Sequence, residues 1–507
     1  MVVNQVVVVV VINNLMMKKL IIILLLLPIF CFSQETSDTI VQQDTNKIYK
    51  KRVLETVEID LISSYYTQDG KNASVTGGIG TEKLSDFAST IDVAIPLNDD
   101  DVFVIDATVS AYTSASSSNL NPFSGASSGD DDDDDDDKKG NKNTIKGPTT
   151  GTPWVASSGA SKSDVWFNGN LGYNHSSDSR NNIVNANVSF ANEFDYTSFG
   201  FGAGYTHLFN KKNTEIGIKT NIYLDHWRPQ YPTEIHTYIE NNGSLNADFF
   251  NGVDILDNNG LIADKNGLLI WAPFKNTLVD NTSRNSYSIS LSFSQIISKN
   301  AQFSIFTDIV NQQGWLANPM QRVYFKDKAN YYIGIASSIA DYTSPTNLDV
   351  FQLADDIERL PETRLKTPVG IRLNYYISEL FVFKTYYRYY FDDWGIKAHT
   401  ANIELPIKIA QKFTFYPTYR FYSQIAADYF APYEEHLSTD KFYTSDFDLS
   451  KYNANQYGFG IKYNDIFTKA HIGMMRLKTV DLNYSYYHRN TGLKANIVSF
   501  GMKFIVN

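Results

Sequence analysis

The chain has a single cysteine, Cys31, and it lies inside the first 33 residues. A framework of disulfides is therefore excluded. Beyond Leu27 no apolar run approaches the roughly 20 residues that a membrane-crossing helix needs, which excludes a helical membrane protein. Positive charge is also scarce. Lys and Arg number 44 against 55 acidic residues, for a net charge of −11. Such a surface is a poor match for nucleic acid, whose binding rests on phosphate neutralisation.

What is present begins with an export signal. Met17-Lys18-Lys19 is a basic n-region, Leu20–Leu27 a short apolar core, and Cys31-Phe32-Ser33 places small residues at −3 and −1 for cleavage before Gln34. Residues 1–15 make no sense within this signal, and the expectation is a start codon misassigned ahead of Met16 or Met17. Phe30 is bulky where a lipoprotein signal wants a small residue, so lipidation of Cys31 is not expected. Cleavage removes Lys18 and Lys19, leaving 42 basic residues against 55 acidic ones, a balance of −13. The mature chain would then carry no cysteine, which suits passage through an oxidising periplasm.

Period-2 alternation fills the rest. In Lys494–Val506, Val498, Phe500, Met502, Phe504 and Val506 share one face, with Ser499, Gly501 and Lys503 on the other. Sixteen such strands are expected, with fourteen as the alternative. The first eight are Leu54–Tyr66, Leu84–Leu97, Val102–Thr113, Asp164–His175, Asn182–Glu193, Thr197–His207, Thr214–Asp225 and Ser286–Ile296. The second eight are Gln302–Asn311, Thr367–Ile377, Leu380–Phe391, Ile396–Ile407, Lys412–Gln424, Gln456–Tyr463, Leu477–Tyr487 and Lys494–Val506. Each is close to the 9–11 residues of a tilted transmembrane strand.

Connection lengths test this count independently. The long segments Ser114–Ser163, His226–Asn285, Gln312–Lys366 and Ile425–Asn455 all follow odd-numbered strands. The tight turns at Asn98–Asp101, Asn210–Asn213, Ser298–Asn300, Ser378-Glu379 and Ala410-Gln411 all follow even-numbered ones. Short periplasmic turns and long external loops are the pattern of an antiparallel up-and-down β-barrel of the outer membrane. The expected organisation is a signal region over residues 1–33, a short periplasmic segment over 34–53 and a barrel over 54–507. A soluble sandwich also alternates, but four loops of this length would be strange there. Heavy use of Tyr and Phe, 33 and 32 residues, suits aromatic girdles at the two interfaces.

Three stretches carry a family resemblance: Tyr387–His399 (YRYYFDDWGIKAH), Tyr419–Tyr429 (YRFYSQIAADY), and the small-residue pair Tyr112–Ser117 and Ser157–Ser161 (SSGAS). They resemble the bacterial family catalogued as domain of unknown function 3570, over a region running from about Leu54 to the C-terminus. The resemblance implies an outer-membrane barrel of a Gram-negative bacterium and brings no catalytic residues with it. Implied partners of such a barrel are outer-membrane lipid, the barrel-assembly machinery through the terminal strand, and small solutes or periplasmic proteins.

Strand parity nominates a lumen. It turns Glu58, Asp60, Asp92 and Asp106 inward on early strands, and Arg372, Lys384, Arg388 and Arg420 inward on later ones. Opposed walls of this kind would set a transverse field, as constrictions of general pores do. The competing reading is a static ion network that fills the barrel. Phe391-Asp392-Asp393-Trp394-Gly395 reads as a tight hairpin turn that fixes register at the outer rim. A ligand or calcium site shared by Asp392, Asp393, Trp394 and Asp428 is the alternative.

Other acidic segments read as loop. The run Asp130–Asp137 is solvated, with at most diffuse Ca²⁺ binding, and no cofactor is expected. Asp254–Gly260 and Asp264–Gly267 fail the spacing of a calcium loop and read as two turns. Gly172–Ser177 resembles the G-x-x-H-x-S of outer-membrane phospholipases, with His175 and Ser177 on one side. Asp178-Ser179 replaces the Asn-Gly that should follow, and the pair falls at the periplasmic end, so no enzyme is expected. The leading expectation is a barrel for passage or binding of small solutes, the alternative a non-conducting scaffold that binds a partner through its loops, and the third reading a lipid-cleaving barrel enzyme.

Overall fold

The computed structural model describes residues 51–114, 153–154, 165–268, 270–274, 277–347, 349–465 and 467–506. The export signal, most of the 34–53 segment, residues 115–117 and 157–161, and the Asp130–Asp137 run lie outside the described residues.

Sixteen long strands are described. The first eight are β1 (Val57–Asp69), β2 (Leu84–Pro96), β3 (Asp101–Ser114), β4 (Val165–Ser176), β5 (Asn182–Asn192), β6 (Tyr196–Phe209), β7 (Thr214–Trp227) and β8 (Thr282–Ser298). The second eight are β9 (Ala301–Gly314), β10 (Thr363–Tyr376), β11 (Val382–Asp392), β12 (Lys397–Glu404), β13 (Phe413–Gln424), β14 (Tyr452–Asn464), β15 (Met475–Arg489) and β16 (Lys494–Val506). Each pairs antiparallel with its sequence neighbours. The first and last close the ring, with Ser63 of β1 opposite Ser89 on one side and Phe500 of β16 on the other. Closure removes the unpaired strand edges that a flat sheet would leave.

Period 2 then sorts the side chains. Outward positions form an apolar belt that includes Leu171, Val188, Phe201, Leu291, Phe459 and Leu482, all exposed on the protein surface. A contiguous apolar exterior of this extent is stable against lipid and not against water. The belt and the closed ring define an outer-membrane type of barrel. Inward residues are mostly polar, and the interior is hollow at mid-height. Ile62 and Tyr223 point inward yet remain 48% and 40% exposed.

Boundaries depart from the sequence reading in places. Strand β1 sits three residues later than the expected Leu54–Tyr66, because Val57 is the partner of Val506 at the last rung of β16. The expected strand Ile396–Ile407 breaks after Glu404 and resumes at Ile407–Lys408. Pro406 has no N–H to give the ladder.

The longer described connections at one end, β1–β2, β7–β8, β9–β10 and β13–β14, are not solvated loops. They carry the helix α1 (Thr233–Glu240), short two-stranded pairs and their own apolar cores. By the rule that periplasmic turns are short, this is the outer end. Phe250, Ile255, Trp271, Ile333 and Phe351 form one core between the β7–β8 and β9–β10 connections.

Candidate functional site: the lumen walls and the loop cap

The acidic wall is an aligned rung. Asp60 on β1 pairs in register with Asp92 on β2, and Asp92 with Asp106 on β3. Lys503 on β16 lies opposite Asp60 and donates to it at 2.8 Å, and reaches Glu58 at 2.8 Å. Lys478 of β15 adds a second contact to Glu58 at 2.7 Å. Glu58 and Asp60 are thus neutralised locally. Among the described residues no cation lies within ion-pair distance of Asp92 or Asp106, and Asp92 Oδ1 is buried without a hydrogen bond.

The basic wall lies across the ring. Arg372 is on β10, eight strands from the β2 that carries Asp92, and in a sixteen-stranded ring that is the opposite side. Asp92 is four residues from Pro96 and Arg372 four from Tyr376, so both sit at similar heights above the short-turn end. Arg388 on β11 is opposite Gly370 and Thr400, and Arg420 on β13 opposite Asn402 and Gln456. The guanidinium of Arg372 lies beside the stacked pair Phe306 and Tyr386, 5.8 and 5.7 Å from the ring centres. Among the described residues no carboxylate comes within ion-pair distance of Arg372, Arg388 or Arg420. Lys384 differs, since Glu404 accepts from it at 2.8 Å. Asp308 on β9 and Asp481 on β15 also lie on the inward face.

The rim motif closes a hairpin. Asp392 accepts from the backbone amides of Trp394 and Ile396 at 3.1 and 2.9 Å. Its other oxygen takes both Arg364 Nε and Nη2, at 3.0 and 2.6 Å, and the Tyr390 hydroxyl at 2.7 Å. Asp393 accepts from the Leu365 amide, and the Trp394 indole donates to the Thr363 carbonyl. Gly395 has φ of +89°, and an added Cβ would run into the Asp428 carboxylate, so the turn favours glycine. The Asp392 carboxylate is spent on these partners, and among the described residues no cluster of three or more His, Cys, Asp or Glu is placed to hold a metal.

His175 faces outward at the short-turn end, where its Nδ1 meets Asp101 Oδ1 at 2.7 Å and Tyr173 donates to the same oxygen at 2.8 Å. Ser177 Oγ contacts Ser179 Oγ and accepts from the Asn182 amide. Among the described residues no hydrogen bond joins Ser177 to His175. Asp257 and Asp264 each cap their own turn through backbone amides.

Loops of this length are long enough to fold in over the lumen, and here they form a cap. Its hub is Arg322, in the β9–β10 connection, whose side chain and that of Glu234 on α1 are fully buried. Arg322 Nε and Nη2 donate to the two Glu234 oxygens at 2.6 and 3.1 Å, and Nη1 to the Val75 carbonyl at 3.1 Å. Val75 belongs to the β1–β2 connection, which is eight strands from β9–β10. The β9–β10 segment therefore reaches across the mouth of the barrel. The β13–β14 connection is stitched in as well, through Tyr443 and Arg359 amides exchanged at 2.8 and 3.1 Å and through Lys326 donating to the His436 carbonyl. Burial pushes Glu358 up to about 8, and Asp355 and Glu82 up to about 7. The signal that could have found the cap is apolar content: Phe249-Phe250, Trp271, Tyr324-Phe325 and Tyr331–Ile333 are too aromatic for solvated loop.

The family model described as "Protein of unknown function (DUF3570)" matches residues 39–497. The chain belongs to that family. No curated protein matches the sequence. Among solved structures, a bacterial polysaccharide outer membrane secretin is 8% identical with a TM-score of 0.38, over 89% of this chain and 98% of that one. The Pseudomonas putida toluene transporter TodX is 8% identical with a TM-score of 0.35, over 90% of each chain. The Pseudomonas aeruginosa outer membrane protein OpdK is 8% identical with a TM-score of 0.33, over 89% and 99%. Identities and TM-scores this low assign no function.

Proposed function

We propose that this barrel passes small solutes across the outer membrane of a Gram-negative bacterium, with anions following the β10–β13 side, and that the cap governs exchange at the outer end. The carrying observation is the charge arrangement. Arg372, Arg388 and Arg420 have no carboxylate partner among the described residues, and the Asp60–Asp92–Asp106 rung lies across the ring. A static ion network would have spent those arginines on carboxylates, as Lys384 is spent on Glu404. Sixteen strands also leave an aqueous channel in barrels of this kind. The terminal strand, ending Phe504-Ile505-Val506, is the segment proposed to engage the barrel-assembly machinery.

The test is ion selectivity of the refolded chain in a planar bilayer. Arg388→Glu should shift the reversal potential toward cations, and an unchanged potential would refute the assignment. A second reading, a non-conducting scaffold whose loops bind a partner, is favoured by one observation: the β9–β10 segment spans the mouth through Arg322 and Val75. Silence from correctly folded, heat-modifiable barrel would select it.

A further inference from the structure

The basic wall is more than a row of charges. Two adjoining cavities, of about 400 and 150 Å³, run along β11–β15 and share Arg420 and Gln456. The larger falls within the roughly 300–1,000 Å³ usual for small-molecule sites. Its polar lining includes Arg388, Arg420, Asn402, Gln456 and Asn483. The smaller is walled by Tyr422, Tyr452 and Tyr487. Neither cavity is lined by a carboxylate.

Two details show a built surface. Arg388 Nε is buried and has no hydrogen-bond partner among the described residues. An unpaired buried donor on a cation is costly, and a site that expects an acceptor accounts for it. The tyrosines are also held in place from above. Arg489 stacks on Tyr452 at 4.4 Å and on Tyr487 at 5.7 Å, donates to the Tyr487 hydroxyl at 2.8 Å, and is anchored by Asp448 at 2.6 Å. Tyr422 and Tyr452 pack 5.4 Å apart.

Each group calls for a different part of one ligand. Guanidinium groups pair with a carboxylate. Amides of Asn402, Gln456 and Asn483 both donate and accept, as hydroxyl groups require. Tyrosine faces offer an apolar surface beside polar tips. We infer that this wall binds an acidic sugar, with its carboxylate on Arg388 and Arg420, its hydroxyls on the three amides and the C–H face of its ring on the tyrosines. The inference rests on the solute reading above and names the class of solute.

The experiment is calorimetric titration of the full refolded barrel in detergent, with D-glucuronate, D-glucose, acetate and a glucuronate tetramer as probes. Glucuronate should bind at least about tenfold more tightly than glucose or acetate, since each lacks one half of the recognition. Arg420→Gln should cost about tenfold to a hundredfold in glucuronate affinity, the loss expected for a charge-assisted hydrogen bond. Gln456→Ala should weaken glucuronate and leave acetate alone, and this milder variant guards against a fold defect. A tetramer that outbinds the monomer assigns an acidic polysaccharide as the source, and equal affinities assign the free sugar. Equal binding of glucuronate and acetate would overturn the inference while leaving an anion pathway standing. So would no glucuronate binding by heat-modifiable barrel that shows the Arg388→Glu selectivity shift in bilayers.

Discussion

Removing Glu234 should open the cap without melting the barrel. In the folded protein the Glu234 and Arg322 side chains are both fully buried and share two hydrogen bonds of 2.6 and 3.1 Å. Glu234→Ala leaves the guanidinium buried without the carboxylate that takes two of its hydrogen bonds. Stranding one member of a buried pair costs about 3–5 kcal/mol. At about 1.4 kcal/mol per tenfold, cap opening should rise roughly a hundredfold to several thousandfold. The sixteen barrel strands contain neither residue, so their protection should not change. Hydrogen exchange read by mass spectrometry on peptides from Ala336–Ala354 and from β4–β6 checks both halves of the statement. The double variant Arg322→Met with Glu234→Leu removes both charges together and should restore protection to within about 1 kcal/mol of wild type. Unchanged cap protection in Glu234→Ala, or a double variant as loose as the single one, would refute the reasoning.

Three further expectations follow from the same structure. Glu358, Asp355 and Glu82 bind their protons more tightly in the folded cap than in the open one, so their contribution is complete below the ordinary carboxylate range. It is lost as pH rises through about 7 and 8. Cap peptides should exchange more slowly at mildly acid pH than at mildly alkaline pH once intrinsic rates are corrected, and Glu358→Gln should flatten part of that dependence. Asp392→Ala breaks a buried ion pair and frees two turn amides, and should cost about 3–5 kcal/mol, read as a lower unfolding temperature on heat-modifiability gels. Val188→Arg places a charge on the lipid face at mid-strand and should cost about 2–4 kcal/mol in vesicle-supported unfolding, whereas Asn187→Arg, facing the lumen, should cost less than about 1 kcal/mol.

The barrel was legible because its information is local. Alternation in β16 fixes the strand from Lys494 to Val506 with no reference to any partner, and loop lengths fix which end is which. Strands run past their alternating cores where pairing alone extends them. Ser286–Ile296 grows to Thr282–Ser298, and Gln456–Tyr463 to Tyr452–Asn464, through polar residues that a ladder tolerates and a pattern does not flag. Parity assigns each charge to a face of its strand and carries no information on partners, so that Lys503 neutralises Asp60 while Arg388 has no carboxylate partner among the described residues could not be read from it. The cap's contacts were illegible, though its aromatic content was not, because they join Val75, Glu234, Arg322 and Tyr443, which no period relates. Loop residues acquire those neighbours only after the ring closes and sets opposite connections facing one another.

The central claim is that the arginine wall faces a conducting lumen and acts on what passes. Reversal potential under a salt gradient, measured on single channels of wild type and of Arg388→Glu, tests it most directly. Steady conducting steps are expected in both, with a shift toward cations in the variant. Identical potentials, or silence from folded barrel even when Glu234→Ala has loosened the cap, would contradict it.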